Sequence, residues 1–246
     1  MKSTLVLLFI SFSAFSQFQK SGKIYFKESI KLNIQISEEN KEMAKMMPTS
    51  QDSYKVLYYD SNESLFKVEE KKNEDLDIKH EEGGNQIRMV FKVPQTTIYQ
   101  NLSENSFIQS QEFLDKEFLI VDQVNDKKWK VTGEQKKVLD FVCIKATLAD
   151  TSQKVVAWFT PQIPVGMGPN GFSGLPGMIL ALDTDNGQRL IAATNIEPLP
   201  QGFTFTKPEK GKKVNKAEFK KIRDEKLKEM GSDGKGGARV IIRNEN

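Results

Sequence analysis

The stretch WFTPQIPVGMGPNGFSGLPGMILAL, Trp158 to Leu182, decides how the rest of the chain is read. Between Gly166 and Met178 it places five glycines and two prolines in thirteen residues. That density of backbone-setting residues excludes a strand or helix interior. The flanks, Trp158–Thr160 and Met178–Leu182, are apolar and suited to strands. The stretch therefore reads as a fixed-shape loop joining two β-hairpins, turning a corner between sheets or presenting itself to a ligand.

Outward from it the strand signals continue. Downstream, Met178–Thr184 and Gln188–Asn195 pair across Asp185-Asn186-Gly187, a strong hairpin signature. Upstream, Val138–Leu148 and Lys154–Thr160 form a hairpin around Ala149-Asp150-Thr151-Ser152, and Trp129–Thr132 begins that ladder. Gln86–Val93, Thr96–Leu102, Ser106–Phe113 and Phe118–Asp122 follow one another at short intervals, as in an antiparallel meander. Tyr54–Tyr59 and Ser64–Glu69 flank Asp60-Ser61-Asn62-Glu63 as a further hairpin. A long first strand spans Gly22–Ile36, with Ile24, Phe26, Ile30, Leu32, Ile34 and Ile36 on one parity. Lys71–Asn85, highly charged and containing Gly83-Gly84, reads as a solvated loop. No alternation of strands with long helices is present, which argues against a parallel α/β sheet. The expected fold is mainly β: a curved antiparallel sheet, open barrel or bowl. Two helices accompany it, a short one at Glu38–Met47 capped by Ser37 and one near the C-terminus.

The ends of the chain set compartment and domains. Lys2, the apolar run Leu5–Phe15 and Ala14-Phe15-Ser16 before Gln17 form a secretory signal, too short to span a membrane. Residues 1–16 are thus the expected signal peptide, and the expected location is periplasmic or extracellular. No later segment is long and apolar enough to cross a bilayer. The β domain is expected over 17–205, and a basic tail over 206–246 with a helix at about 215–230. Asn215 and Glu218 make a capping-box start. Phe219, Ile222, Leu227 and Met230 lie on one arc of about 140°, fit to dock on the body, with a basic face for solvent, anionic lipid, glycan or a partner. Arg239–Arg243 is a candidate edge strand.

The composition narrows the chemistry. The 246 residues carry a formal charge of +3, too small to call for nucleic acid. The single histidine, His80, in a polar setting, removes His-dependent triads and His-rich zinc sites. The single cysteine, Cys143, excludes an internal disulfide and CxxC redox chemistry, and its apolar neighbours suit a buried thiol. No phosphate-cradling motif follows the glycines. Met43, Met46 and Met47 would suit Cu(I), but an apolar helix face explains them better. Asp183 and Asp185 are the carboxylates nearest the loop, and turn roles suit both. No catalytic residue, metal site or cofactor is assigned. The candidate ligand-binding residues are Trp158, Phe159, Phe172, Gly174, Leu175, Pro176 and Gly177, lining or bracing the rim of a concave face.

At Gly174-Leu175-Pro176-Gly177-Met178-Ile179 the chain resembles the GLPGLI family of exported Bacteroidetes proteins, with Met178 for the usual Leu. Trp129, Cys143-Ile144-Lys145-Ala146, Ala157-Trp158-Phe159-Thr160-Pro161, Ile163-Pro164 and Gly168-Pro169 match that family's motifs in order, with Phe159 for Tyr. Gly22-Lys23-Ile24-Tyr25 is similar to its opening strand. The resemblance implies an exported β-rich bowl, similar to the N-terminal module of a peptide-N-glycosidase, used for binding or positioning. It also implies a cell-envelope setting with an outer-membrane TonB-dependent receptor as partner; the ligand expected at the concave face is a small molecule, glycan or peptide. A carboxylate-based exported hydrolase and a purely structural envelope partner are the alternatives.

Overall fold

A computed structural model describes residues 20–32, 47–70, 72–73, 75–82, 85–124, 127–150, 154–229 and 239–245. The segment expected to be a signal peptide, all but Met47 of the expected Glu38–Met47 helix, and the end of the expected first strand beyond Leu32 lie outside these.

Fifteen strands form among the described residues: β1 Gly22–Lys31, β2 Ser50–Tyr59, β3 Glu63–Val68, β4 Leu76–Glu82, β5 Asn85–Lys92, β6 Thr96–Asn101, β7 Ser106–Phe113, β8 Lys116–Asp122, β9 Trp129–Val138, β10 Phe141–Leu148, β11 Val155–Thr160, β12 Met178–Thr184, β13 Arg189–Glu197, β14 Lys212–Val214 and β15 Arg239–Glu245. Twelve build one sheet in the order β14-β8-β7-β6-β3-β2-β1-β13-β12-β11-β10-β9. All neighbours are antiparallel except β14, which runs parallel to β8. The sheet is open and curved, not a closed barrel. The mainly β fold expected from strand spacing is therefore the one observed.

Strand alternation gives the sheet two distinct faces. Ile24, Leu57, Phe66 and Ile98 stand in register across β1, β2, β3 and β6 and are buried. Their neighbours Lys23, Tyr58, Leu65 and Tyr99 form the adjoining row on the opposite face. The first face holds the core and is concave. A turn at Pro169–Gly171 touches β12 as well as β3 and β6. β6 and β12 are five strand positions apart, about 24 Å along a flat sheet. One three-residue turn reaches both because the sheet curls around it.

The convex face has its own cover. After β13, residues 198–211 cross it toward the far edge. Phe203 stacks on Tyr58 with ring centroids 4.2 Å apart, and Phe205 packs edge-on against Phe203. Lys207 Nζ sits 5.0 Å from the Tyr99 centroid and 3.3 Å from Glu104. The strap then delivers β14 to the β8 edge. Helix α1, Lys216–Glu229, follows. Its capping box closes in both directions: Glu218 N donates to Asn215 Oδ1 at 2.8 Å, and Asn215 N donates to Glu218 Oε2 at 2.9 Å. Phe219 docks edge-on against Phe118 and Phe113. Ile222 and Leu227 are half-buried on the same stripe, and Met230 lies outside the described residues.

Three expectations need correction. Lys71–Asn85 is not all loop: Leu76–Glu82 is β4, paired with β5 so that His80 stands opposite Ile87. The alternation Leu76-Asp77-Ile78-Lys79 outweighs the charge density. Val138 does not begin β10 but ends β9, because Leu139 adopts φ 53° and turns the chain. β9 runs on through the lysine-rich residues before it, with a register break opposite Ile144–Ala146 where Gly133 takes φ 83°. The Gly/Pro loop, finally, does not turn between sheets. β11 and β12 pair directly, Thr160 opposite Met178, so the loop leaves and re-enters one sheet. The small second sheet, β15-β5-β4, stands apart from that connection.

Candidate functional site

Residues 161–177 fold into a compact plug on the concave face. Two successive tight turns start it, Val165 N donating to Ile163 O and Met167 N to Val165 O, each at 2.8 Å. The far limb closes back: Gly174 N donates to Gly166 O at 3.1 Å, Met178 N to Ile163 O and Ile179 N to Met167 O, both at 2.9 Å. Ile163, Val165, Met167 and Leu175 are buried in the main core. Gly177, at φ 151°, lies so close to Thr160 that a Cβ would fall 2.2 Å from its carbonyl oxygen. Only glycine allows that approach. Across the bowl, Gln100 Nε2 donates to Gly171 O at 3.1 Å. Trp129 Nε1, from the opposite end of the sheet, donates to Ser173 O at 2.9 Å. The plug thus ties β9 at one edge to β6 and β7 near the other.

Beneath the plug lies a buried ionic cluster. Glu28 points inward from β1 with 2% of its side chain exposed. Its Oε2 receives Lys55 Nζ at 2.9 Å and Ser53 Oγ at 3.2 Å, both from β2. Its Oε1 receives Arg189 Nη1 at 3.6 Å from β13 and Asn170 Nδ2 at 3.4 Å from the plug. Burial pushes the Glu28 carboxyl up. The charges of Lys55 and Arg189, with hydrogen bonds from Lys55 and Asn170, outweigh that and hold it below the usual glutamate range. Glu28 and Lys55 are both buried. A carboxylate held ionised by two cations is a poor proton donor, and its oxygens are already occupied.

The seven residues singled out in the sequence do not converge. Phe159 and Leu175 are buried in the core, on the concave side. Trp158 faces the opposite way, its ring under Lys136 Nζ at 4.3 Å. Gly177 is pressed on Thr160. Phe172 is half-buried at the rim, its ring 6.2 Å from that of Trp129, and exposed Gly174 lies beside Trp129. Pro176 is exposed. Phe172 and Gly174 are thus the two that meet at one accessible place. Asp183 and Asp185 are turn residues: Asp183 Oδ1 accepts Gly187 N at 2.6 Å, and Asp185 takes φ 54°. Asp150 and Asp183 line a shallow depression of about 330 Å³ with Lys154 and Asn186. Cys143 is fully buried, and burial pushes its thiol up to about 11, so it is not a nucleophile at neutral pH. No group of three or more His, Cys, Asp or Glu among the described residues could hold a metal ion.

The ionic cluster was missed in the sequence, although one signal was there. Along β1 the inward parity reads Ile24, Phe26, Glu28, and a charge at that position needs buried partners. Lys55 and Arg189 carry no such mark, because only the register of β2 and β13 against β1 brings them to Glu28.

A family model described as a protein of unknown function (Porph_ging) matches residues 149–181, the segment that contains the plug. No curated protein matches the chain. Among solved structures, PNGF-II in two crystal forms is similar, with TM-scores of 0.53 and 0.52 at 16% and 15% identity. These similarities cover 82% of this chain and 33% and 32% of PNGF-II, so the chain spans about a third of that protein. At such identity the likeness is one of fold.

Proposed function

We propose that this protein is an exported binding or accessory module of the cell envelope, not an enzyme. One observation carries the reading: the concave face, where a curved sheet would hold a substrate, is filled by the chain's own loop. The buried carboxylate there is saturated by Lys55, Arg189, Ser53 and Asn170. What remains accessible is the rim, where Phe172, Gly174 and Trp129 meet. The GLPGLI-type signature in the plug supports the family placement, and the fold shared with part of PNGF-II, a peptide-N-glycosidase, supports a positioning role. The family resemblance adds an outer-membrane TonB-dependent receptor as partner.

A thermal-shift screen of glycans and peptides tests this, run beside an assay for product release. The expected result is stabilisation by at least one class with no turnover. Turnover of any panel compound that Glu28→Gln abolishes would replace the binding module with a carboxylate hydrolase. Co-purification with outer-membrane receptors tests the partner.

A further inference from the structure

Two lysines meet at the rim beside the plug. Lys127 precedes β9, and its Nζ lies 4.8 Å from the centroid of Phe172. Lys216 opens α1, and its Nζ lies 3.7 Å from the centroid of Phe107. Both rings border one glycine: Gly171 packs on Phe107, and Phe172 follows it in the chain. Trp129 completes the wall, fixed by its hydrogen bond to Ser173 O.

Among the described residues the charges here are less evenly paired than those around Glu28. Burial lowers the proton affinity of Lys127, and no carboxylate among the described residues pairs with it. Burial lowers that of Lys216 too; Asp122 acts against the shift, and Lys127 adds to it. The Asp122 carboxylate accepts the Lys216 backbone N–H at 3.1 Å, while the Lys216 ammonium group donates to Gln123 O at 3.2 Å. Glu218 is committed to the helix cap. Two partly desolvated cations of like sign are thus held together over aromatic faces. Ring quadrupoles offset only part of that repulsion. An incoming carboxylate would offset the rest, and the half-buried rings of Phe172 and Trp129 suit the C–H face of a sugar ring.

We propose that Lys127 and Lys216, beside the half-buried rings of Phe172 and Trp129, receive the carboxylate of an acidic saccharide. This rests on the binding-module reading and names its ligand class.

Calorimetric titration of the full chain at low salt with trigalacturonate, maltotriose and citrate tests it. Trigalacturonate should bind. Lys127→Met and Lys216→Met should each weaken it about tenfold or more, while Lys127→Arg retains binding. The melting temperature of Lys127→Met should not fall, because one of two opposed charges is gone. Binding of maltotriose equal to that of trigalacturonate would overturn the anion site yet leave a glycan-binding module standing. Citrate binding as tightly would overturn the saccharide assignment. No binding of trigalacturonate, or binding untouched by both Met variants, would overturn the inference outright.

Discussion

The plug on the concave face and the strap on the convex face both cross the sheet, but they are held by different physics. The plug is fixed by its backbone. Its amides and carbonyls bond to one another and to β12, its apolar side chains are buried, and Gly177 touches Thr160 directly. The strap is fixed by side chains. Phe203 on Tyr58, Phe205 on Phe203 and Lys207 on Tyr99 anchor it, and its alternate residues Thr204 and Thr206 are exposed. The plug has no slack and works as core. The strap is a clamp with a few separable anchors.

The largest effect should come from Gly177→Ala. The added methyl would meet Thr160 O at 2.2 Å and Thr160 C at 2.7 Å, both backbone atoms that cannot turn away. The loss should exceed about 4 kcal/mol, a large part of the stability of an ordinary domain. Gly174→Ala has the space, its nearest neighbour being Lys127 O at 3.6 Å. It should lose only about 1 kcal/mol, for φ +92°. Urea unfolding of the two variants measures the difference. Equal losses would mean that the plug is not fixed by contact with β11.

Glu28→Gln comes next, because the ionic cluster joins plug to sheet. It should cost about 3 kcal/mol by leaving Lys55 buried without its charge partner. Glu28→Gln with Lys55→Met should recover most of that. The pH dependence has a definite sign. The folded-state pKa of Glu28 is lowered, so its contribution is present above the ordinary glutamate value of about 4.3 and is lost as pH falls through the lowered value. Wild type should therefore lose stability below about pH 4.3 more steeply than the double variant. Parallel acid melts would show that Glu28 is not linked to folding.

On the strap, Phe203→Ala should cost about 1.5 kcal/mol, since the ring is half-buried and stacked on one partner. It should add independently to Gly174→Ala in a double-mutant cycle. Coupling above about 0.5 kcal/mol would mean that the two covers sense each other through the sheet.

The same contrast explains what the sequence disclosed. The plug was legible because glycine and proline mark backbone constraint locally. The hairpins were legible because alternation and turn residues, as in Asp185-Asn186-Gly187, are short-range signals. The strap was not legible. Phe203, Phe205 and Lys207 reach Tyr58 and Tyr99 only after the chain has crossed several strands, and no local period records that. Charge dominates the composition of the tail, residues 206–246. Three of its residues, Lys212–Val214, nevertheless close the β8 edge of the sheet. The opposite edge, β9, has no further strand among the described residues. It carries Lys130, Lys136 and Lys137 and breaks register near Gly133, which are ordinary protections against edge-to-edge pairing. At the rim, Phe172 and Gly174 lie within the legible Gly/Pro stretch, but Lys127 and Lys216, 89 positions apart in the chain, could not be joined to them without the fold.

The smallest effect tests whether local turn chemistry matters once plug and strap are in place. β7 and β8 connect through Leu114-Asp115, with Phe113 opposite Lys116. Both turn residues take positive φ, 50° and 57°. A two-residue hairpin turn with both values positive favours Asn-Gly, and a leucine there is strained. Leu114→Asn with Asp115→Gly should therefore stabilise the protein by about 1 kcal/mol in urea titration. The gain should survive in the Phe203→Ala background, because the turn lies beyond the strap's anchors. A loss instead would show that Leu114 or Asp115 makes contacts worth more than the strain, and that this hairpin is set by tertiary packing like the strap, not by local backbone preference like the plug.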